Sequence, residues 1–545
     1  IIMKHRVVKK NSFVIGAFIT TLGIVISKVL GILYVIPFHA IIGERGGALY
    51  GYAYTVYLMF VSLSTAGLPL AISQIVSEYQ TLGYYKAKKR AFFLGKRIAL
   101  ILGCVFFFFQ IIFARILAQM IVGKISGGNS IDDIAFTIRI ISMAVLIVTL
   151  LSIYRGYFEG HRFMEAPSIS QVIEQLIRIT VIILGSFLFL KVFKMSLTNV
   201  VGVALFGTFA GALGSYFYLI DKFIGNKKKF DEKIITINEP IVTDKSIIKK
   251  LFSYVLPFIL IDIFKALYNS IDVFTVVKGL VNFTKYNVTS AEAIMGMLST
   301  WCNKFNMIIL SVSSGIIVSL IPNLTQSVVK KDIKDVNNKI NQALSISFFL
   351  MLPMTVGLSF LAKPVWVLFY GDSLYGPSVL SYFIFAGFIM GLFTTIISIM
   401  QALKDYKTVL ISLAVGVVLK AFLNTNLIVA FYKMGLPPYY GVITATIIGY
   451  LTSFIICLLV LKSKWKINYE SLVKNFIDII ITTAIMIIVM FILRLLVPIS
   501  SSTRIINLFI IIFYTVIGCI LYFFISLKNG TMKRIFGNKI QKFKL

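Results

Sequence analysis

Acidic side chains are scarce in this chain. Aspartate and glutamate number 21 in 545 residues against 53 lysines and arginines, and charged residues together make up 14%. A soluble protein carries about 25% charged residues, so a water-solvated globular surface is excluded. Cysteine is rare too. Cys104, Cys302, Cys457 and Cys519 fall inside apolar runs and form no C-x-x-C pair, which argues against disulfides or a thiolate metal site and for small buried apolar side chains. His5, His39 and His161 are scattered without metal-ligand spacing. There is no G-x-x-x-x-G-K-[ST] loop, catalytic-triad pattern or metal motif, so an ATP-driven pump and a membrane enzyme are both disfavoured.

What is present is apolar sequence. Hydrophobic residues make up 58% of the chain and the mean hydropathy is +0.93. Runs long enough to cross a hydrocarbon core of ~30 Å fall at about 13–38, 50–77, 97–121, 135–157, 168–193, 198–220, 251–277, 293–321, 339–362, 377–399, 408–432, 439–461, 475–497 and 504–527. That is fourteen spans. The amino terminus, KHRVVKK before an apolar run, reads as an uncleaved first helix, since no small-residue cleavage site follows. The net charge of +32 belongs to short loops, and with no basic domain outside the membrane a nucleic-acid partner is not expected. With the amino terminus inside, inner loops and termini hold 36 Lys and Arg and outer loops 10, which places both termini in the cytoplasm.

The spans repeat. Adding 242 to the limits of spans one to six lands them on spans seven to twelve, with Arg178 over Lys420. Six is an even number, so the two copies share one orientation. The expected architecture is an all-α polytopic membrane protein of 14 helices. It comprises an amino-terminal lobe (1–220), a polar interlobe linker (221–250), a second lobe (251–462), and two extra helices with a basic tail (463–545). A cleft between such lobes is where secondary transporters hold substrate.

Charges within spans mark that cleft. A Lys at mid-membrane costs roughly 2.5–3.5 kcal/mol on insertion scales, so it must face something other than lipid. Lys28 is the single charge of span one and borders a stripe formed by Gly16, Thr20, Gly23, Ser27 and Gly31. Span seven carries Asp262, Lys265, Asn269 and Asp272 at spacings of three, four and three, a continuous helical stripe. Span eight carries Lys304, with Asn303 and Asn306 close by. Lys28, Lys265 and Lys304 lie at similar depth and are suited to bind phosphate or carboxylate if they converge. For Lys265, pairing with Asp262 or Asp272 in a neutral structural stripe is the other reading. Lys420 and Asn424 share a face of span eleven and are candidates for a second-lobe cavity or for ion coupling. Glu174 and Arg178, four apart on span five, read as an internal pair. Pro69, Pro257 and Pro353 are candidate kinks. The segment 363–377 reads as a membrane-surface turn, and the basic, aromatic loop 84–97 as an anionic-lipid contact or a plain positive-inside anchor.

The stretches VISKVLGILYVIPF, GGALYGYAYTVY, RGYFEGHRFMEAPSISQVIEQLIRI and PVWVLFYG resemble the SpoVB/MurJ-type branch of the multidrug/oligosaccharidyl-lipid/polysaccharide exporter superfamily in Gram-positive bacteria. The likeness runs over nearly the whole chain. It implies a plasma-membrane flippase that moves lipid II, an undecaprenyl-diphosphate-linked peptidoglycan precursor, from the inner to the outer leaflet. It also implies a cationic cavity for the diphosphate, a groove for the lipid tail on spans thirteen and fourteen, contact with membrane lipids, and cell-wall synthesis machinery as partner. By the same resemblance Lys28 stands where other members carry a first-helix Arg, and Lys304 at or beside their eighth-helix Arg. Tyr34 and Val61 replace further cavity arginines, a loss for which Lys265 is placed to compensate. No cofactor is implied, and Na⁺ or H⁺ coupling through Asp262, Asp272 or Asn424 stays open beside membrane potential as the drive. A sister flippase for another lipid-linked oligosaccharide and a cation-coupled multidrug antiporter are the alternatives on the same fold.

Overall fold

The computed structural model describes residues 26–27, 30–32, 34–65, 67–123, 127–226, 230, 242–499 and 503–536. Every regular element among them is a helix. Eleven helices are long and apolar enough to cross a membrane, one of them the run Leu30–Leu82. Spans seven and eight are also helical, as Asp244–Phe283 and, through a π-helical turn at Met297–Trp301, as Val288–Val329. Fourteen spans are consistent with this set. Most of span one, Lys28 included, lies outside the described residues. Its end runs through Val35 to Gly43, where φ 63° and ψ −168° kink the chain into span two, a conformation that glycine adopts without strain. Span two then breaks. Gly67, at φ 70°, ends the first helix, and Pro69 sits in the first turn of Leu68–Leu82, so this proline restarts a helix rather than kinking one.

Two compact units divide the chain. One comprises Ile1–Lys278 with Val288–Ser299, the other Gly279–Asn287 with Thr300–Leu545. Span seven therefore packs mainly with the first unit, although the sequence repeat pairs it with the second lobe. Several contacts explain this. A Cβ on Gly67 would stand 2.8 Å from Phe258 Cβ, Lys250 pairs with Glu78, and Lys278 Nζ donates to Met120 O. The repeat unit and the packing unit are different divisions of the same chain.

Within the first unit, close backbone approach sets the helix positions. An added Cβ on Gly156 of span four would lie 2.3 Å from the Pro69 carbonyl oxygen, so only glycine lets the two helices meet there. At the start of the helix Tyr85–Val122, an aromatic cluster of Phe92, Tyr157, Phe223 and Phe230 closes around His161. Lys88 is only 2% exposed there, and its Nζ donates to Gln80 Oε1 (2.7 Å) and Phe230 O (2.9 Å). Arg90 pairs with Asp244 at 3.2 Å. The segment expected as a loop is instead the first turns of the helix Tyr85–Val122, and these two of its cations tie the chain to itself.

In the second unit, spans thirteen and fourteen pack on span nine. The rings of Phe348 and Phe476 stack at 3.9 Å, and Tyr522 Oη donates to Phe349 O at 2.8 Å. The segment expected as a membrane-surface turn is instead a helix, Ala362–Tyr370, with Trp366 fully buried and Tyr370 Oη donating to Trp301 O at 3.0 Å. The buried indole and the paired phenol pack this helix against span eight. Asp405, in the turn before span eleven, is buried, which raises its carboxyl pKa. Hydrogen bonds from Lys464 Nζ and from the Thr408 side chain and amide outweigh that and hold it below the usual carboxylate range. All four cysteines are free. Cys302 and Cys457 are buried as expected, whereas Cys104 is half-buried and Cys519 exposed on the apolar face of span fourteen.

The glycine contact gives a direct test. Gly156→Ala should destabilise the protein by about 1–3 kcal/mol, the range for overpacking. Gly357→Ala on span nine meets nothing within 4 Å and should be neutral or slightly stabilising. Thermal unfolding in detergent, followed by size-exclusion fluorescence, reads both. Equal midpoints for the two variants would contradict the close approach.

Candidate functional site

Span five presents Ser170, Glu174 and Arg178 at intervals of four, so they share one face. Span four ends by placing Arg155 against that face. Arg155 Nη2 lies 2.8 Å from Glu174 Oε2, and Arg178 Nη2 lies 2.6 Å from Glu174 Oε1. Arg155 also donates to Ser170 Oγ (3.0 Å) and Ser215 Oγ (3.2 Å), which binds span six into the cluster. The crossing of spans five and six is again a glycine contact, since a Cβ on Gly211 would stand 2.5 Å from Glu174 O.

Two guanidinium groups share one carboxylate, so the cluster keeps one net positive charge. Its three ionic side chains are 15–18% exposed. Arg178 Nε is buried and makes no hydrogen bond among the described residues. Arg178 also interacts with Tyr50, Tyr54 and Tyr57 of span two, where Tyr50 and Tyr54 stack at 5.5 Å. A Cβ on Gly31 would meet Gln175 Nε2 at 3.3 Å, so the end of span one lies against span five, one residue from Glu174. A partly desolvated guanidinium with spare donors and excess positive charge can hold an oxyanion. The Glu174–Arg178 pair was legible from its spacing. Arg155 was not, because it counts as one more cation at an inner loop until span five is placed beside it.

The residues anticipated for substrate binding separate between the two units. On span seven, Lys265 Nζ lies 3.6 Å from Asp262 Oδ1, with side chains 38% and 41% exposed. Asn269 is exposed and Asp272 half-buried on the same helix. On span eight, in the second unit, Asn303 and Lys304 are half-buried and Asn306 is buried. Lys420 and Asn424 are 1% and 0% exposed. They are enclosed within the second unit and do not line open space.

A second constellation occupies the opposite end of the first unit. Glu292, just before span eight, is fully buried. Its carboxylate accepts from the Asn129 backbone amide (2.9 and 3.0 Å) and from Asn129 Nδ2 (3.0 Å). Arg45, after the Gly43 turn, donates through Nη2 to Gly128 O at 2.9 Å. The loop between spans three and four is thereby clamped between the hairpin of spans one and two and the start of span eight. The π-helical turn Met297–Trp301 follows, where the chain passes from the first unit to the second. Such turns recur at functional sites. Glu292 carried no sequence signal, since it lies one residue outside the apolar run and its partner is 163 positions away.

Two outcomes are expected. Glu174→Gln leaves two arginines without a counterion and should destabilise by about 3 kcal/mol or more, whereas Ser215→Ala, losing one neutral partner, should lose about 1 kcal/mol. Thermal unfolding shifts of equal size would contradict a shared carboxylate. In Glu292→Ala the Asn129 amide loses its acceptor. Hydrogen exchange at that amide should quicken at least about tenfold, the equivalent of one ~1.4 kcal/mol hydrogen bond, and an unchanged rate would refute the clamp.

Comparison with known proteins adds six matches. Residues 13–328 match the family described as polysaccharide biosynthesis protein, and residues 295–425 match MatE. The lipid II flippase MurJ of Bacillus subtilis (strain 168) is 31% identical over 539 residues, 97% of each chain. Stage V sporulation protein B of the same organism is 28% identical over 38% of this chain and 39% of its own. Among solved structures, lipid II flippase MurJ in an inward closed conformation aligns with a TM-score of 0.68 at 16% identity, covering 94% of this chain and 99% of that one. An inward-facing multidrug resistance MATE family transporter of the MOP superfamily aligns at 0.64 and 13% identity, covering 83% and 99%. These two likenesses establish the fold, and the near full-length identity establishes the kinship. The chain is a multi-pass membrane protein that belongs to the MurJ lipid II flippase family of the MOP superfamily.

Proposed function

We propose that this chain carries lipid II from the inner to the outer leaflet of the bacterial plasma membrane by alternating access. The observation that carries the reading is identity with a lipid II flippase along 97% of both chains. Lys28, Lys265 and Lys304 bind the diphosphate as point charges, assisted by Asn269 and Asn303, and Asp262 and Asp272 set the balance of charge around them. The Lys265–Asp262 contact supports rather than opposes this role. An ion pair that long and that exposed is worth about 0–1 kcal/mol, so an arriving diphosphate can take Lys265 over at little cost. The lobes 1–220 and 251–462 rock about the site, 221–250 links them in the cytoplasm with both termini, and 463–545 supports the prenyl tail.

A head group of charge −2 moving outward down a potential of ~100 mV, negative inside, gains about 4–5 kcal/mol if its charge is uncompensated. Voltage alone is therefore an adequate drive. Enclosure of Lys420 and Asn424 argues against their use as an open coupling site. No chemical step is needed, and the envelope-synthesis machinery supplies the substrate on one side and consumes it on the other.

Lys28→Ala and Lys304→Ala should each lower lipid II exposure on the outer leaflet by at least about tenfold, the effect of losing one charge-assisted hydrogen bond of ~1.5–3 kcal/mol. Lys28→Arg should retain activity. A lipid II accessibility assay in depleted cells reads this, and full activity in both alanine variants would refute the anion site.

A further inference from the structure

The second unit holds a polar cavity that the flippase reading does not use. The short helix Thr531–Phe536, which follows span fourteen, folds against spans nine and thirteen. Gln342 Nε2 donates to Ile535 O at 3.1 Å, the rings of Phe349 and Phe536 meet at 5.5 Å, and Arg534 pairs with Asp478. Between these elements lies a cavity of about 420 Å³ whose walls include Asn341, Gln342, Ser471, Lys474, Asn475 and Arg534. That volume falls in the range of small-molecule sites.

Its chemistry is specific. Asp478 offsets Arg534, so Lys474, exposed at the rim, leaves the cavity with net positive charge. Asn475 is buried and held between Arg534 Nε (3.4 Å) and Ser345 Oγ (3.1 Å). Asn341 is 5% exposed. Its Nδ2 donates to Asn468 O at 2.7 Å, which fixes the amide orientation, and its Oδ1 is buried without a hydrogen-bond partner among the described residues. A buried acceptor of this kind calls for a donor. The site thus offers a cation for an oxyanion and amide and hydroxyl groups for a hydroxylated ligand. Beside it, Val473, Ile477, Ile480 and Ile481 of the same helix are all exposed and apolar, a surface suited to hydrocarbon.

We infer that this cavity binds a hydroxyl-bearing phosphate ester, supplied as the headgroup of an anionic glycerophospholipid, with its acyl chains along the exposed face of span thirteen. Lys474 meets the phosphate, Asn341 and Gln342 meet headgroup hydroxyls, and the bound lipid fastens the final helix to spans nine and thirteen. The site shares no residue with the cation set on spans one, seven and eight.

The test uses the full chain in nanodiscs of phosphatidylcholine, with phosphatidylglycerol or soluble glycerol 3-phosphate added, and native mass spectrometry as readout. Phosphatidylglycerol should be retained over phosphatidylcholine, and Lys474→Glu at the exposed rim should reduce retention about tenfold through loss of a charge-assisted contact. Ser471→Trp, also at the rim, should block the cavity and give the same loss without changing charge. Equal retention of the two lipids, or retention indifferent to both variants, would overturn the proposal. Binding of glycerol 3-phosphate as tight as that of the lipid would overturn the lipid source and assign the site to a soluble phosphate ester.

Discussion

One carboxylate holding two guanidinium groups is the interaction on which the first unit depends. Glu174 lies where three spans meet, and without it the charges of Arg155 and Arg178 would be held largely out of water uncompensated, a strongly destabilising arrangement. The arrangement constrains much else. Span six must approach span five closely enough to set Ser215 against Arg155, and Gly211 at the crossing allows it. Span two presents its tyrosines to Arg178, and the end of span one reaches Gln175. The charge that makes the site useful for an anion and the packing that makes it stable are set by the same few atoms.

The physics of export follows from how firmly each cation is held. Arg155 and Arg178 are locked by short bonds to a common partner. Lys265 is half-exposed beside Asp262 at 3.6 Å, a contact that water and ions weaken. A flippase must grip a diphosphate and then release it, and the half-exposed Lys265 suits that demand better than a buried arginine network. The arginine cluster is fixed by short bonds, whereas the Lys265 contact is exchangeable.

Much of this was legible before any coordinates. Apolar runs of spanning length depend on the bilayer alone and not on which helix lies next to which, so the helices fell where hydropathy put them. The Glu174–Arg178 and Asp262–Lys265 pairs were legible for a similar reason, because helical spacing makes them neighbours whatever the fold. What escaped notice was every contact made across the chain. Arg155 reaches Glu174, Asn129 reaches Glu292 and Tyr370 reaches Trp301 only after helices have packed. Lys88 looked like a membrane anchor because nothing local shows that the Phe230 carbonyl waits above it. Span seven misled in a subtler way. The spacing of apolar runs groups it with the second six spans, yet its side chains and the Gly67 contact bind it to the first unit.

The π-helical turn at Met297–Trp301 bears on the direction in which span eight faces. An α-turn holds 3.6 residues and a π-turn takes in about one more, so side chains beyond it are rotated by roughly 100° about the helix axis relative to an uninterrupted α-helix. Asn303 and Lys304 come immediately after that turn. Their compass bearing is therefore set by the pitch of the five residues Met297–Trp301. Winding those five into a regular α-helix would turn Lys304 by about 100° relative to the part of the span before it.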